Sequence, residues 1–339
     1  MAGAMTIAFF GEVMLRLSPP GRELLLQTPK LEVNVGGAEA NVATGLACLG
    51  HATRMISAVA DNPLGGAVIG ELRRRGVDTS TVASEEGRLG LYFLTPGAGL
   101  RASEVVYDRA HSVFATRPAD SWDWDRLLEG ATRLHLSGIT PALGHNTAEA
   151  AIAAAEAASA RGVPVSFDGN YRAKLWEAWD SDPRAVLNQL IGHADILFGN
   201  HRDVSLLLGK PFSGEGSDRR REAAEAAFAH FPRLQTIAST ARHVDDADSH
   251  RVSARVDTRG GAHQTDEVLI AGIVDRIGAG DAFAAGVLHG LIESDGDARA
   301  AAKSGLALTA LKHSLPGDAS LFTRADLAAF EAGGLDVRR

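Results

Sequence analysis

The sequence predicts an α/β fold in three layers, with a parallel β-sheet between two layers of α-helices. In the middle of the chain, short strand-forming runs alternate with helical segments rich in Ala, Glu and Arg, which is the pattern of βαβ units. The strand-forming runs are apolar throughout, as in strands buried on both faces. We interpret all 339 residues as one domain, 1–339, with inserts.

Composition excludes several classes of protein. The chain has 34 Lys and Arg against 42 Asp and Glu, a net charge of −8, so it lacks the basic surface that nucleic acids require. No apolar run is long enough to cross a membrane, and the first residues lack the basic segment of a signal peptide. The single cysteine, Cys48, permits no internal disulfide. We therefore expect a cytoplasmic protein with no nucleic-acid or membrane partner.

The alternation itself defines the central elements. The predicted strands are Arg133–Ser137, Val163–Asp168, Asp195–Gly199 and Leu234–Ser239, and the helices are Asn146–Arg161, Pro183–Gly192 and Asp218–His230. Every one of these strands ends in small or polar residues. Because ligands of open α/β sheets bind beyond the carboxyl ends of the strands, these four endings are the first candidates for a binding site.

Two strand-rich inserts interrupt the pattern, at about residues 12–35 and 90–112. The first turns at Pro19–Gly21 and the second at Pro96–Gly99. We predict that they pair into a small β-sheet that covers the site as a lid; an ordinary extension of the main sheet is the alternative. Exposed edges of such a sheet often pair, so we also expect a homo-oligomer that forms through the lid.

The last third of the chain has a different pattern. Two antiparallel strands, Arg251–Val256 and Thr265–Ile270, are predicted around Asp257–Ala262, followed by helices Ala282–Ile292 and Asp297–Leu311.

The strongest chemical signal is Gly278–Ala279–Gly280–Asp281, which opens the first of these two helices. Glycines allow a ligand to approach the backbone closely, and a helix start offers unpaired N–H groups that bind a phosphate. Asp281 would lie beside that phosphate, where a carboxylate can take a proton from an alcohol. A glycine-rich helix start capped by Asp is the alternative.

Other nucleotide and metal motifs are absent from the sequence. The dinucleotide fingerprint fails because Phe283 stands where its third glycine belongs, and the P-loop fails because Pro211 follows Gly209–Lys210. No His-Glu pair is present for a zinc protease motif.

A second glycine motif, Gly36–Gly37, opens a predicted helix over Ala38–Leu49. Asn41 falls near the end of its first turn, where its amide would either bind a polyol or face solvent.

Together, Gly36–Gly37 with Asn41 and Asp275-x-x-Gly278-Ala279-Gly280-Asp281 make the chain resemble the ribokinase-like, or PfkB, family of sugar kinases. The resemblance covers nearly the whole chain from Gly11–Glu12 onward. Finer features resemble the 2-keto-3-deoxygluconate kinase branch: Gly90–Tyr92, Tyr107–Arg109, Leu134–Pro141, Asp168–Arg172 and Leu175–Trp176.

The resemblance implies a ribokinase-like α/β/α domain with a small β-sheet lid, and transfer of the γ-phosphoryl group of ATP to a sugar with Mg²⁺. It implies that Asp281 is the catalytic base and that the amides of Gly278, Ala279 and Gly280 form the anion hole. Gly36, Gly37 and Asn41 match residues that hold sugar hydroxyls.

A sugar acid carries a carboxylate, and the resemblance implies that positively charged side chains and aromatic rings near the lid bind such a substrate. Arg109 and Arg172 would pair with the substrate carboxylate, and Tyr92 and Tyr107 would supply walls with a polar tip. Asp318 resembles a late aspartate that contacts the substrate. The alternatives are surface arginines, core tyrosines and a helix cap.

On the nucleotide side, the sequence departs from the family. Asn200 is present, but the following acid is Asp203 instead of the longer Glu, so we expect metal contact there to be weak and through water. Thr240 and Arg242 stand where the family has a Lys- and Gly-rich stretch. With Gly278 and Gly280, Asn200, Thr240 and Arg242 are the expected ATP-binding residues, and Arg276 replaces a small residue.

The leading hypothesis is therefore an ATP-dependent kinase that phosphorylates the terminal hydroxyl of 2-keto-3-deoxygluconate, with a small sugar acid and ATP as its partners. A kinase of another sugar, such as fructose or 2-keto-3-deoxygalactonate, is the first alternative. A sugar-binding protein without catalysis is the second.

Overall fold

The computed structural model describes residues 5–333; residues 1–4 and 334–339 of the predicted domain lie outside this range. The strands are β1 (Thr6–Phe10), β2 (Met14–Ser18), β3 (Glu32–Gly36), β4 (Ala52–Ala60), β5 (Val77–Asp78), β6 (Val82–Glu85), β7 (Leu91–Thr95), β8 (Glu104–Asp108), β9 (Ala131–Ser137), β10 (Val165–Asp168), β11 (Ile196–Phe198), β12 (Thr236–Asp246), β13 (Ser249–Thr258), β14 (Gly261–Gln264) and β15 (Val268–Ala271). The helices are α1 (Ala38–Cys48), α2 (Pro63–Arg74), α3 (Val113–Thr116), α4 (Trp124–Leu127), α5 (His145–Ala160), α6 (Ala173–Trp176), α7 (Pro183–Gly192), α8 (His201–Leu208), α9 (Gly216–His230), α10 (Ala279–Glu293), α11 (Ala298–Lys312) and α12 (Arg324–Glu331).

The central sheet has the order β14-β13-β12-β11-β10-β9-β1-β4-β5. The strands from β12 to β5 are parallel to their neighbours. β13 continues the sheet in antiparallel pairing with β12, and β14 and β15 both pair with β13. Phe9, Leu134, Phe167 and Leu197 are fully buried in the parallel strands. The predicted parallel sheet with apolar strands is thus confirmed.

Helices cover both faces of this sheet. The chain steps from β1 through α1 to β4 in one direction, and from β9 through α5, α7 and α9 to β12 in the other. Because such crossovers are right-handed, helices of the two series lie on opposite faces. The packing agrees, since α1 contacts α10 and α10 contacts α11, whereas α5 contacts α7 and α8 contacts α9.

The two predicted inserts supply a separate small sheet of the order β3-β2-β7-β8. Each insert forms an antiparallel hairpin, β2–β3 and β7–β8, and the hairpins join through parallel pairing of β2 with β7. Pairing of the inserts is therefore confirmed, and extension of the main sheet is excluded within the described residues. Val33 on β3 and Val106 on β8 are more than half exposed, and assembly through this sheet stays a prediction.

The C-terminal third differs from the prediction. β12 does not end at Ser239 but continues to Asp246 and forms a long hairpin with β13. Of the residues predicted as one strand, Thr265–Ile270, only 268–270 are strand, as part of β15. β14 lies before them, and most of the predicted turn at 257–262 belongs to β13 and β14. The polar sequence of β12 beyond Ser239 conceals this strand, because its pairing with β13 and not its hydrophobicity extends it.

The contact between α10 and α11 depends on small residues. α10 is buried from Ala282 to Gly290, as expected for a helix that is apolar on all sides. A Cβ atom on Gly286 would overlap the main-chain oxygen of Ser304 in α11, and one on Gly290 would overlap the backbone at Ala301. These glycines let the backbones of α10 and α11 approach closely. The contact between the two helices fixes the position of α10 and therefore of its first turn.

Across residues 5–333, none of the helices has both the length and the apolar content to span a bilayer.

We expect Gly286→Ala to destabilise the protein by about 1–3 kcal/mol, because its methyl group overpacks the α10–α11 contact. Gly66→Ala in α2 is the matched control, since a Cβ there meets no atom within 4 Å, and its higher helix propensity should stabilise by up to about 1 kcal/mol. Urea denaturation measures both. Equal shifts of the same sign would show that helix propensity alone matters at position 286.

Candidate active site

A cavity of about 980 Å³ lies at the carboxyl ends of the parallel strands. Three of the four strand endings singled out from the sequence line it, through residues such as Asp168, Asn200 and Thr240. The fourth ending, Ser137, hydrogen-bonds to Glu39, which also lines the cavity. Tyr92 and Tyr107 of the small sheet form another wall. The small sheet is thus placed over the strand ends, as a lid requires.

The start of α10 forms the floor of this cavity. Gly278 has φ +76°, and a Cβ there would overlap the main-chain oxygen of Asp318, so the turn requires glycine. Within residues 5–333, no acceptor pairs with the main-chain N–H of Gly278 or Gly280. The main-chain N–H of Ala279 was also predicted to be available to an anion, but it already donates to the Arg276 carbonyl at 3.2 Å. Two of the three predicted anion-hole amides are therefore available.

Asp281 lies in the first turn of α10 and lines the cavity. The side-chain amide of Asn41 donates to its carboxylate at 2.7 Å. Burial raises the pKa of Asp281 to about 7, and the nearby Asp318 and Glu39 act in the same direction. The Asn41 hydrogen bond and the charge of Arg172 oppose this rise because they favour the ionised form. This carboxyl group is thus able to exchange a proton near neutral pH.

The first turn of α1 supplies the residues next to Asp281. Asn41 is 5% exposed, so its side chain does not face solvent. Its amide already donates a hydrogen bond to Asp281, so a bound polyol would share this side chain with the Asp281 carboxylate. Glu39 is 1% exposed and accepts hydrogen bonds from the Ser137 and Thr140 hydroxyls at 2.8 and 2.9 Å. Gly36 precedes this helix against the Asp318 carboxylate, and Gly37 packs against the main chain of Glu12. A Cβ atom on Gly36 would overlap the Asp318 carboxylate, and one on Gly37 would overlap the main-chain oxygen of Glu12, so both positions require glycine.

Two further carboxylates lie at the strand ends. Burial raises the pKa of Asp168 to about 8, and the charges of Asp281 and Asp203 add to the effect. Asp203 accepts the main-chain N–H of Asn200 at 2.7 Å as part of the capping box of α8, and burial raises its pKa also. From the sequence, Asp168 was identified only as a strand ending and was given no role. Asp203 was predicted to contact a metal, and its carboxylate also caps α8.

The residues predicted to bind a sugar acid line the cavity, but they differ in exposure and in their hydrogen-bond partners. Arg109 is buried, and its Nε donates to Glu12 at 2.8 Å. Arg172 is exposed and donates to the Tyr171 carbonyl at 3.2 Å, without a carboxylate partner among the described residues. Tyr107 is half exposed, with its ring 5.9 Å from that of Tyr92. Arg172 is therefore the cation most available to a ligand.

Asp318 is 3% exposed and lies between the two glycine turns. Its carboxylate pairs with Arg16 of β2 at 3.0 Å and accepts a hydrogen bond from the Tyr92 hydroxyl. Asp318 therefore does not cap a helix. Its position in the cavity wall is fixed by Arg16 and Tyr92 of the small sheet. Neither Glu39 nor Arg16 was singled out from the sequence. Glu39 stands inside the second glycine motif, between Gly37 and Asn41, but no pattern there gave it a role. Arg16 lies in the first insert, away from both glycine motifs and from the predicted strand ends.

Three arginines without an ion-pair partner among residues 5–333 line the opposite side of the cavity: Arg202, Arg242 and Arg276. Burial and the nearby charge of Arg276 lower the pKa of the Arg242 guanidinium. The positive charges of these arginines repel each other, and a bound polyanion would relieve this repulsion. Asn200 caps α8 through its side chain, and Thr240 is exposed beside it.

A doubly covered parallel sheet, a small β-sheet over its strand ends and a carboxylate at a glycine-rich helix start define a ribokinase-like α/β protein. Residues 5–323 match the model of the pfkB family carbohydrate kinases, and the chain belongs to this family. The predictions of the fold class and of a carbohydrate kinase are thereby confirmed.

Relatives of similar length support this assignment. The 2-dehydro-3-deoxygalactonokinase of Haloferax volcanii is 33% identical over 325 residues, which cover 96% of each chain. The 2-dehydro-3-deoxygluconokinase of Bacillus subtilis is 29% identical over 325 residues, covering 95% of this chain and 94% of that one. A crystal structure of 2-dehydro-3-deoxygluconokinase from Thermotoga maritima matches with a TM-score of 0.91 and 37% identity, covering 97% of this chain and 100% of that one.

We expect Asp281→Asn to raise the free energy of unfolding at pH 8 by about 1–3 kcal/mol. The carboxyl group has a pKa of about 7 in the folded protein but of about 3.9 in an unfolded chain. Its contribution to stability is therefore present below pH ~4 and lost as the pH rises to about 7. The amide carries no such loss.

Urea denaturation at pH 5 and pH 8 tests this expectation. Asp266→Asn, at an exposed loop position, is the matched control and should behave as wild type at both pH values. A stability difference at position 281 that does not grow with pH would contradict a raised pKa for this carboxyl group.

Proposed function

We propose that the protein is an ATP-dependent kinase of 2-keto-3-deoxygluconate, also called 2-dehydro-3-deoxygluconate, and that it phosphorylates the terminal hydroxyl. The observation that carries this proposal is the Asp281 carboxyl group, with a pKa of about 7, next to the unpaired N–H groups of Gly278 and Gly280. We place the enzyme in the cytoplasm, because its single cysteine is typical of a reducing compartment.

In the proposed reaction, Asp281 takes the proton of the terminal hydroxyl as its oxygen attacks the γ-phosphorus. The new O–P bond forms while the bond from the γ-phosphorus to the β,γ-bridging oxygen breaks, and ADP leaves with that electron pair. The N–H groups of Gly278 and Gly280 donate to the oxygens of the transferring group. Asn41 orients the base through its hydrogen bond of 2.7 Å.

The sugar would lie between α1 and the small sheet. Gly37 and Asn41 are proposed to approach its hydroxyls, and Tyr92, Tyr107 and Asp318 to form its walls, since these residues line the cavity that also contains Asp281. Gly36 does not line the cavity but packs against Asp318, so it is proposed to position that wall. Arg172 forms no direct ion pair with a carboxylate among residues 5–333, so it is proposed to bind the substrate carboxylate directly. Arg109 supports the same wall from its ion pair with Glu12.

The nucleotide would lie on the side of the strand ends with Asn200 and Thr240. We propose that Arg242 and Arg276 contact its phosphates, because both line the cavity there and repel each other without an anion.

The donor set also fits Mg²⁺, which prefers one or two carboxylates together with phosphate oxygens and water. Asp168 and Asp203 both line the cavity, and burial raises the pKa of each carboxyl group; a bound cation would favour the ionised form of both. We propose that they hold the ion, with Asp203 acting through water because its carboxylate also caps α8. When bound, Mg²⁺ neutralises charge on the phosphates.

2-Keto-3-deoxygalactonate is the second candidate substrate. It is favoured by the relative of 33% identity from Haloferax volcanii, which is a 2-dehydro-3-deoxygalactonokinase. The two sugars differ at one stereocentre, so a coupled ADP-release assay on both epimers and on fructose measures the preference.

We expect Asp281→Asn to lower kcat by about 10²–10⁴-fold, because the amide cannot accept the hydroxyl proton. Sugar binding, measured by calorimetry, should change little, since the amide keeps the volume and the partner of Asn41. Near-normal turnover would reject Asp281 as the base. Sugar binding with no turnover in the wild type, with any nucleoside triphosphate, would instead indicate a sugar-binding protein without catalysis.

We expect Arg172→Ala to raise KM for 2-keto-3-deoxygluconate about tenfold, because a charged hydrogen bond to the carboxylate is lost. KM for ATP should not change. Lys174→Ala is the matched control, since it removes an exposed positive charge two residues away. Arg109→Ala is a poorer test, because it leaves the buried Glu12 carboxylate with the Ser112 hydroxyl but without its cation.

A panel of neutral sugars completes the experiment. Equal losses for acidic and neutral sugars would reject Arg172 as the carboxylate ligand. A loss matched by Lys174→Ala would assign the effect to the overall charge of this surface.

A further inference from the structure

Lys312, the last residue of α11, is fully buried, with 0% of its surface exposed. Its Nζ donates to two main-chain carbonyl groups, those of Asp275 at 3.3 Å and Leu315 at 3.1 Å. A buried ammonium group is costly unless its charge and its donors are satisfied. The proposed chemistry gives this lysine no role, so its burial requires another explanation.

A charge-balanced cluster surrounds it. Arg16 pairs with the carboxylates of Asp275 at 2.7 Å and Asp318 at 3.0 Å, so two cations and two carboxylates lie together in a cluster in which only the Asp275 side chain, at 10%, retains appreciable exposure. Burial lowers the pKa of Lys312, whereas the charges of Asp275, Asp318 and Asp281 favour its ammonium form. The ammonium group therefore lies within electrostatic reach of the proposed base.

The two segments that Lys312 joins are those that shape the glycine turn. Asp275 begins the turn, and its carboxylate accepts the N–H groups of Ile277 at 2.9 Å and Gly317 at 3.1 Å. The main-chain oxygen of Asp318 packs where a Cβ of Gly278 would stand. A shift of either segment would therefore move the N–H groups at the start of α10.

We propose that Lys312 is a positioning residue whose ammonium group acts as a built-in monovalent cation, clamping segment 275–278 to segment 315–318 and thereby fixing the amides that receive the phosphoryl group. This inference rests on the proposed function of those amides. Main-chain carbonyl oxygens also bind free monovalent cations, so removal of the side chain should leave a hole that suits K⁺ or NH₄⁺. Arg16 extends the same clamp to β2 of the small sheet.

The test compares Lys312→Ala, which opens the hole, with Lys312→Met, which removes the charge but fills the space. Both are assayed at constant ionic strength with tetramethylammonium, K⁺ or NH₄⁺ as the cation, using the sugar that the wild type phosphorylates. Lys303→Ala, at an exposed position of the same helix, is the matched control.

In tetramethylammonium, kcat of both Lys312 variants should fall by about tenfold or more, because a small displacement of catalytic groups has a large effect on rate. K⁺ or NH₄⁺ at about 0.1 M should restore at least part of this loss in Lys312→Ala but not in Lys312→Met. Wild type and Lys303→Ala should be indifferent to the cation. A merely structural lysine would produce no such difference between the two variants.

Melting temperature gives a readout that is independent of the reaction. Cation binding to the folded state should raise the melting temperature of Lys312→Ala in K⁺ or NH₄⁺ relative to tetramethylammonium, and leave that of Lys312→Met unchanged. If the wild type phosphorylates no sugar acid, the proposed function fails while this measurement still tests the clamp. If neither the kcat nor the melting temperature of Lys312→Ala responds to a cation more than that of Lys312→Met, the clamp is rejected.

Discussion

The hydrogen bond from Asn41 to Asp281 joins two helix starts that lie 240 residues apart in the chain. Each helix follows a glycine turn, and both turns pack against Asp318: Gly36 against its carboxylate and Gly278 against its main-chain oxygen. The proposed base, its hydrogen-bond donor and the N–H groups of the proposed anion hole are therefore held together by one set of contacts. The location of the cavity, and the proposed use of its carboxylates, both depend on this close approach of α1 and α10.

Burial raises the pKa values of the carboxyl groups at this site, and it is also a source of instability. The pKa values of Asp281 and Asp168 are about 7 and 8, because the surrounding protein disfavours the charged form of each carboxyl group. An acidic chain with net charge −8 must offset this field locally, and it does so with arginines. Arg16 and Arg109 neutralise carboxylates inside the protein, whereas Arg172, Arg242 and Arg276 line the cavity and are the cations proposed to bind substrates.

The small sheet is more than a cover, because its strands carry part of this polar network. β2 brings Arg16 to Asp275 and Asp318, and β7 brings the Tyr92 hydroxyl to Asp318. Glu12, which leads into β2, holds Arg109, which follows β8. The position of the lid is thus coupled to the glycine turn through buried charges, and these cost free energy when either partner is withdrawn.

Local patterns in the sequence determined the parallel strands, the two paired inserts and both glycine turns, because hydrophobic periodicity and glycine content act over a few residues. The long β12–β13 hairpin could not be predicted from such patterns, because its stability comes from pairing with a strand later in the chain. Only the tertiary structure decided that Asn41 faces Asp281, that Glu39 is buried and Asp168 partly buried near it, and that Lys312 joins two carbonyl groups. Those outcomes depend on burial and on contacts between distant segments, and no short stretch of sequence records which segment will become a residue's neighbour.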